Sequence, residues 1–242
     1  MQPQRPIDKA FMLQTIELAQ LGTYSTRPNP CVGCMIVKDQ NVVASAWHKY
    51  AGHDHAEILA LHQAGENAKG ATMYISLEPC SHQGKTPPCI NAIKEAGITR
   101  VVVAMKDPNP KVNGKGVQAL EKHGIEVEVG ICESEAYAIN EGFFYSMENQ
   151  RPFIRIKHAM SFDGRIASYS GESKWITGEL ARMDVQKLRA QSGAIITGMG
   201  TIKHDDPRLT VRFDQWPEDV CHLSEQPLRI VLDSKLHISP SA

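Results

Sequence analysis

Three side chains suited to a soft metal ion are strung along residues 55–89: His55, Cys80 and Cys89. For one imidazole and two thiols to reach a single ion, distant parts of the chain must fold to one point. His55-Ala56-Glu57 opens a helical pattern. Glu78-Pro79-Cys80 follows the strand-like run Ala71 to Leu77, and Cys89 falls in the first turn of a further helix after Pro87-Pro88. Three such ligands are one short of a closed structural tetrahedron, and a zinc ion so held keeps its fourth place for water. Glu57, two residues past the histidine, is placed to stand beside that water as a proton carrier without being a ligand.

Taken singly, a histidine at a helix start and two cysteines in apolar surroundings need mean nothing more than capping and packing. Their combination with Glu57, and with a proline before the first cysteine, matches the zinc deaminase signature His-x-Glu followed by Pro-Cys-x-x-Cys. The match departs in one respect, because eight residues rather than two stand between Cys80 and Cys89. Helix N-termini and a bound cation both favour thiolates, so both cysteines are expected to bind deprotonated. The chemistry that follows is hydrolytic: a water acidified by the metal attacks an amino-bearing ring carbon, and Glu57 moves the proton to the ring nitrogen and then to the departing amine.

The rest of the chain reads as support for this stretch and then as a second domain. Residues 7–21 form an amphipathic pattern with Asp8 as N-cap, Ile7 and Met12 as a staple, and Gly22 as stop. Arg27-Pro28-Asn29-Pro30-Cys31-Val32-Gly33 is loop-like. Residues 34–37 and 42–47 read as a hairpin across Asp39-Gln40-Asn41. Strands at 73–77, 101–105 and 125–129 alternate with helices at 57–65, 90–96 and 117–123, which predicts helices packed on a largely parallel sheet. Residues 133–148 read as one longer helix. Asn149-Gln150-Arg151-Pro152 is the domain boundary, giving domains 1–150 and 151–242. Beyond it, residues 153–157, 194–197 and 228–232 read as strands and 179–191 as a helix.

Composition narrows the function classes. A formal net charge of −1 offers no whole-chain attraction to phosphate backbones or anionic membranes. With 42% hydrophobic and 22% charged residues, the chain can bury a core. No apolar run reaches the roughly 20 residues of a membrane helix, and residues 1–6 lack the apolar region of a secretory signal. The cysteines are then expected to be reduced, in the cytoplasm. Cys31-x-x-Cys34 has no second pair to complete a zinc ribbon and is expected to be structural; Cys132 and Cys221 are expected to be inert.

Several further stretches carry a resemblance. The loop Ser81 to Pro88, Asn29-Pro30-x-Val32-Gly33, His48 with Gly52, and Asp107-Pro108-Asn109-Pro110 before Gly114-x-Gly116 belong to it. So do Ser161-x-Asp163-Gly164-Arg165, Trp175-Ile176-Thr177-Gly178 and Asp205-Asp206-Pro207-x-Leu209-Thr210-x-Arg212. Together they resemble the bifunctional deaminase/reductase family of riboflavin biosynthesis over nearly the whole chain. The resemblance implies a cytidine-deaminase-like three-layer α/β domain followed by a dihydrofolate-reductase-like α/β domain. The implied substrate is 2,5-diamino-6-(5-phosphoribosylamino)pyrimidin-4(3H)-one, deaminated at its 2-amino group, after which NADPH reduces the ribosyl group to ribityl.

By the same resemblance His55, Cys80 and Cys89 hold Zn2+ and Glu57 is the catalytic proton shuttle. Asn29, His48, His82, Lys85, Asp107 and Asn109 fall at deaminase substrate positions. In the second half Ala159, Trp175, Thr201, Asp205 and Ser234 fall at NADPH positions, and Ser173, Arg189, Leu209 and Arg212 at substrate positions. The family also implies homo-oligomers, with a small phosphorylated molecule and neither nucleic acid nor membrane as partner. The second half lacks the family's glycine-rich turn and several of its strands, so the chain is expected to be a fragment whose reductase domain is partial. The alternatives are a nucleobase or tRNA deaminase with an unrelated tail, and a zinc-stabilised module without catalysis; loss of ammonia release on replacing Glu57 separates the last from an enzyme.

Overall fold

The computed structural model describes residues 6–81, 87–110, 112–212 and 225–239. It divides into two compact units, Met1–Phe153 and Ile154–Ala242. Among the described residues no helix is long and apolar enough to cross a membrane.

The first unit begins with α1 (Pro6–Gln20), β1 (Gly33–Lys38), β2 (Asn41–Trp47) and α2 (Ala56–Ala64). It continues through β3 (Thr72–Ile75), α3 (Cys89–Glu95), β4 (Arg100–Val103), α4 (Lys115–Lys122) and β5 (Glu126–Val129), and ends with α5 (Glu133–Ile139) and α6 (Glu141–Asn149). The strands form one sheet in the order β2-β1-β3-β4-β5. β1 is antiparallel to both β2 and β3, while β3, β4 and β5 run parallel, so the sheet is mixed rather than largely parallel. The hairpin turns through Asp39 and Gln40, both at positive φ (49° and 63°), the left-handed pair that suits the twist of antiparallel strands.

Side-chain alternation along the strands explains the layering. Cys34, Ile36, Met73, Ile75, Val101 and Val103 point to one face, where they pack with Ala56, Ala60 and Leu61 of α2, Ile93 of α3 and Leu120 of α4. Met35, Val37, Tyr74 and Val102 point to the other, against Met12 and Ile16 of α1, Ala136 of α5 and Phe144 of α6. Both faces are thus covered, which is why these strands read as unbroken apolar runs.

Three local expectations are corrected. Asp8 is not an N-cap: it lies within the first turn of α1, buried, where its carboxylate accepts from the Tyr74 hydroxyl (2.6 Å) and from both terminal nitrogens of Arg100 (2.9 Å each). Ile7, its expected staple partner, is exposed instead. The single helix expected over 133–148 is two helices, broken at Asn140 (φ −122°, ψ 18°). The break frees the buried Asn140 amide to clamp Cys31, accepting from its N–H (2.7 Å) and donating to its carbonyl (2.8 Å).

The second unit contains α7 (Glu179–Gln191), β6 (Ala194–Gly198), α8 (Met199–Asp205) and β7 (Leu228–Leu232). β6 and β7 pair in parallel, with Ala194 opposite Leu228. Residues 153–157 alternate as a strand would, yet form none; a strand exists only through its ladder partner, and these residues pair with neither β6 nor β7.

Candidate metal centre

In the first unit, segments at four strand ends carry the candidate site residues. The loop before β1 carries Asn29, the segment after β2 carries His48 and His55, the segment after β3 carries Cys80, and the loop after β4 carries Asp107 and Asn109. Because β3 and β4 are parallel neighbours, their C-terminal ends open side by side, the usual position of a site in an α/β sheet.

His55 occupies the N-cap position of α2 with extended backbone (φ −71°, ψ 160°) and makes no side-chain capping bond, while Glu57 sits in the first turn. Cys89 is the first residue of α3 after the Pro88 cap. The ligand atoms converge: His55 Nδ1 lies 3.2 Å from Cys89 Sγ and 3.6 Å from Cys80 Sγ, and the two sulfurs are 3.5 Å apart. Zinc–sulfur and zinc–nitrogen bonds of about 2.3 and about 2.0 Å in a tetrahedron call for edges of about 3.5–3.8 Å. The observed triangle has the donor chemistry that suits zinc, and its edges come within roughly 0.3 Å of those lengths. Among the described residues this is the one His/Cys/Asp/Glu group with metal-ligand convergence.

The electrostatics agree with that use. The Cys80 thiol is lowered to about 4, first by hydrogen bonding with Cys89 and also by His55; the Cys89 backbone N–H adds a bond to Cys80 Sγ (3.4 Å). Cys89 is raised, chiefly by the same hydrogen bond to Cys80. His55 is raised by its bond to Cys80. Glu57 is only 3% exposed, and burial raises its carboxyl above the ordinary value, toward the basicity that a proton shuttle near neutral pH needs.

His48 stands edge-on to His55, ring centres 5.5 Å apart. Its Nδ1 lies 3.0 Å from the Asp54 carbonyl, which can only accept, so Nδ1 carries the proton. Nε2 is then an acceptor and takes a bond from the Asn29 amide nitrogen at 3.1 Å. Burial lowers the His48 pKa, in keeping with this neutral tautomer. Asp107 is buried, and its Oδ1 accepts the Asn109 N–H (2.8 Å), closing a turn that holds the two together. His82, Lys85 and Thr86 lie outside the described residues, as does Cys221. Cys31, Cys34 and Cys132 are free, buried thiols.

In the second unit, Thr201 and Asp205 lie on α8 after β6, and Ser234 in the turn after β7, so they follow the C-terminal ends of paired parallel strands. Ala159 is half-buried in irregular chain and Ser173 is exposed. Trp175, 67% exposed, packs its ring under the Arg182 guanidinium at 4.5 Å. Arg189 of α7 donates to the Thr210 carbonyl (2.7 Å), and the Arg212 N–H donates to Gln186 of α7 (3.0 Å), bringing Arg189, Leu209 and Arg212 to one place. Burial and then the charge of Arg212 lower the Arg189 pKa.

Sequence reasoning passed over Glu78, Asp54 and Asn140. A carboxylate at the end of a buried strand, next to Pro79, was the available signal for Glu78, because a buried charge must find partners.

Comparison with known proteins finds one family match in each half of the chain. Residues 5–105 match the cytidine and deoxycytidylate deaminase zinc-binding region, and residues 152–242 the RibD C-terminal domain. The riboflavin biosynthesis protein RibD of Escherichia coli is 50% identical over 238 residues, covering 96% of this chain and 65% of that protein. The Haemophilus influenzae RibD is 49% identical over 239 residues, covering 97% and 64%. The structure of Acinetobacter baumannii RibD superposes with a TM-score of 0.91 at 52% identity, over 96% of this chain and 65% of that one. A Thermotoga maritima diaminohydroxyphosphoribosylaminopyrimidine deaminase/5-amino-6-(5-phosphoribosylamino)uracil reductase gives 0.85 at 40% identity, over 95% and 64%. The chain thus spans about 65% of the length of these relatives.

Proposed function

We propose that the chain is a member of the RibD family of riboflavin biosynthesis proteins, to which it is similar over both parts, that residues 1–150 are a zinc-dependent deaminase and that residues 151–242 belong to an NADPH-dependent reductase. The deaminase converts 2,5-diamino-6-(5-phosphoribosylamino)pyrimidin-4(3H)-one to its 2-oxo counterpart with release of ammonia. The reductase step turns the ribosyl group into a ribityl chain. The observation that carries this reading is the His55–Cys80–Cys89 triangle with the buried Glu57 beside it.

His55, Cys80 and Cys89 would hold the zinc, which when bound supplies a water acidified to near neutrality. The Glu57 carboxylate takes one proton of that water and gives it to the ring nitrogen, where it stays. It then takes the second proton, from the hydroxyl added to the ring carbon, and gives it to the departing amine, so that ammonia leaves and a carbonyl remains. Asn29, held by His48, offers its amide to the pyrimidine edge. Asp107 and Asn109 bind from the neighbouring loop, and His82 and Lys85 complete the substrate set, the lysine toward the phosphate. In the second domain Ala159, Trp175, Thr201, Asp205 and Ser234 contact NADPH. Ser173, Arg189, Leu209 and Arg212 take the substrate, the two arginines gripping phosphate through charge-assisted hydrogen bonds.

Free thiols among the described cysteines favour a reducing, cytoplasmic location. Homo-oligomerisation is part of the same reading, and sedimentation of the purified chain tests it. The deciding experiment incubates the chain with the diaminopyrimidinone ribotide and follows ammonia release and NADPH oxidation separately. Zinc-dependent ammonia release is the expected result; a zinc-loaded chain that releases none rejects the deaminase assignment.

A further inference from the structure

Glu78 ends up as the most heavily engaged carboxylate near the metal centre, although it is neither a ligand nor the proton shuttle. It follows β3, stands two residues before Cys80 and is 4% exposed. Its Oε2 accepts the backbone N–H groups of Gly114 (2.8 Å) and Asp107 (3.2 Å). Its Oε1 accepts those of Gly116 (2.9 Å) and Val117 (3.1 Å). Gly116 and Val117 lie in the first turn of α4, whose leading N–H groups have no partner within the helix, so Glu78 caps that helix from another strand. The Glu78 N–H also donates to the Met105 carbonyl at 3.0 Å. A Cβ on Gly116 would lie 2.1 Å from the Pro79 carbonyl oxygen; the α4 backbone thus rests directly on the residue between Glu78 and Cys80, an approach that requires glycine.

We propose that Glu78 is a positioning residue: it locks the loop carrying Asp107 and Asn109 to the strand end carrying Cys80, fixing the substrate-binding loop relative to the metal ligands. This rests on the deaminase reading given above. The physical case is one of donor matching. An ionised carboxylate is acceptor-only on both oxygens, so it suits four N–H groups, and bonds to a charged acceptor are about twice as strong as neutral ones. Glutamine, identical in outline, would turn an NH2 group toward two of those N–H donors. The Asp107–Asn109 turn makes the loop move as one piece with its anchor, so loosening the anchor displaces both substrate contacts together.

The test uses the full 242-residue chain with Glu78→Gln and Gly116→Ala, which attack the contact from opposite sides. Each is expected to keep its zinc, to raise KM about tenfold and to hold kcat within about threefold, the pattern of lost uniform binding. Amide hydrogen exchange at Asp107, Gly114, Gly116 and Val117 should quicken by about tenfold or more, with the strand amides unchanged. The double variant should be little worse than either single one, because both break one contact. Unchanged exchange at those four amides overturns the clamp whatever the activity. Zinc loss in step with kcat at constant KM overturns the positioning role and makes Glu78 part of the metal's support. A wild-type chain that holds zinc and releases no ammonia defeats the deaminase reading itself, an outcome seen before any variant is compared.

Discussion

In the first unit the strand residues Ile36, Met73, Ile75, Val101 and Val103 lie wholly buried under helices, whereas in the second Ile196, Leu228 and Leu232 keep 60%, 70% and 65% of their surface exposed. The same kind of sequence, short runs of branched apolar residues, therefore has two outcomes. Where a helical layer covers each face, the sheet forms a dry interior in which polar groups such as Glu57, Glu78 and His48 can be buried with chosen partners. Where the described residues leave the strands open, the candidate residues Trp175, Thr201, Asp205 and Ser234 face water. The difference teaches that a site's chemistry depends on the packing behind it: burial raises the Glu57 carboxyl and lowers the His48 pKa in the first unit, whereas Trp175, Thr201, Asp205 and Ser234 are exposed.

That contrast can be broken at several points. The largest effect is expected for Glu57→Gln, which should cut ammonia release by about 10²–10⁴-fold, the usual worth of a general acid–base group, with zinc content measured by metal analysis unchanged. A non-catalytic zinc module would show no such loss. Next, Phe144, fully buried between α6 and the sheet, should cost roughly 3–5 kcal/mol on truncation to alanine, read as a lower urea midpoint of the first unit. Zinc at about 100 times its Kd should stabilise the first unit by about 2.7 kcal/mol and leave the second unmoved, so chelation ought to separate two melting transitions. The smallest effect belongs to Leu232→Ala, which should change stability by under about 1 kcal/mol, as exposed positions do. A cost near that of Phe144→Ala would show that Leu232 is covered in solution and would erase the contrast.

What could be read from the sequence followed from short-range signals. The starts of α2 and α3, the hairpin at Asp39-Gln40 and the bounds of α7 and β7 all announce themselves within a few residues, through caps, prolines and alternation. The convergence of His55, Cys80 and Cys89 was legible because three scarce residue types shared one spacing pattern. Roles set by distant partners were not. Asp8 looked like a cap because its partners Tyr74 and Arg100 stand 66 and 92 residues away. Glu78 at a buried strand end signalled that partners were needed but not which, since the four N–H groups it collects come from a segment 29–39 residues later. The break at Asn140 was invisible because its reason is Cys31, 109 residues earlier. Residues 153–157 fail in the opposite sense: the local pattern is right and the ladder partner is not there among the described residues.

The Asn140 clamp also bears on the order of events in folding. Joining positions 109 residues apart closes a loop whose entropic cost is about 4 kcal/mol before any constant is added. Contacts of such separation form late, after the local hairpin and the helices between them have reduced the search. The segment from Arg27 to Gly33, which presents Asn29, should therefore acquire its shape only once the chain as far as α6 has been made and collapsed. During synthesis the three candidate metal ligands have all been made by residue 89, well before Asn140, whose clamp shapes the segment presenting Asn29.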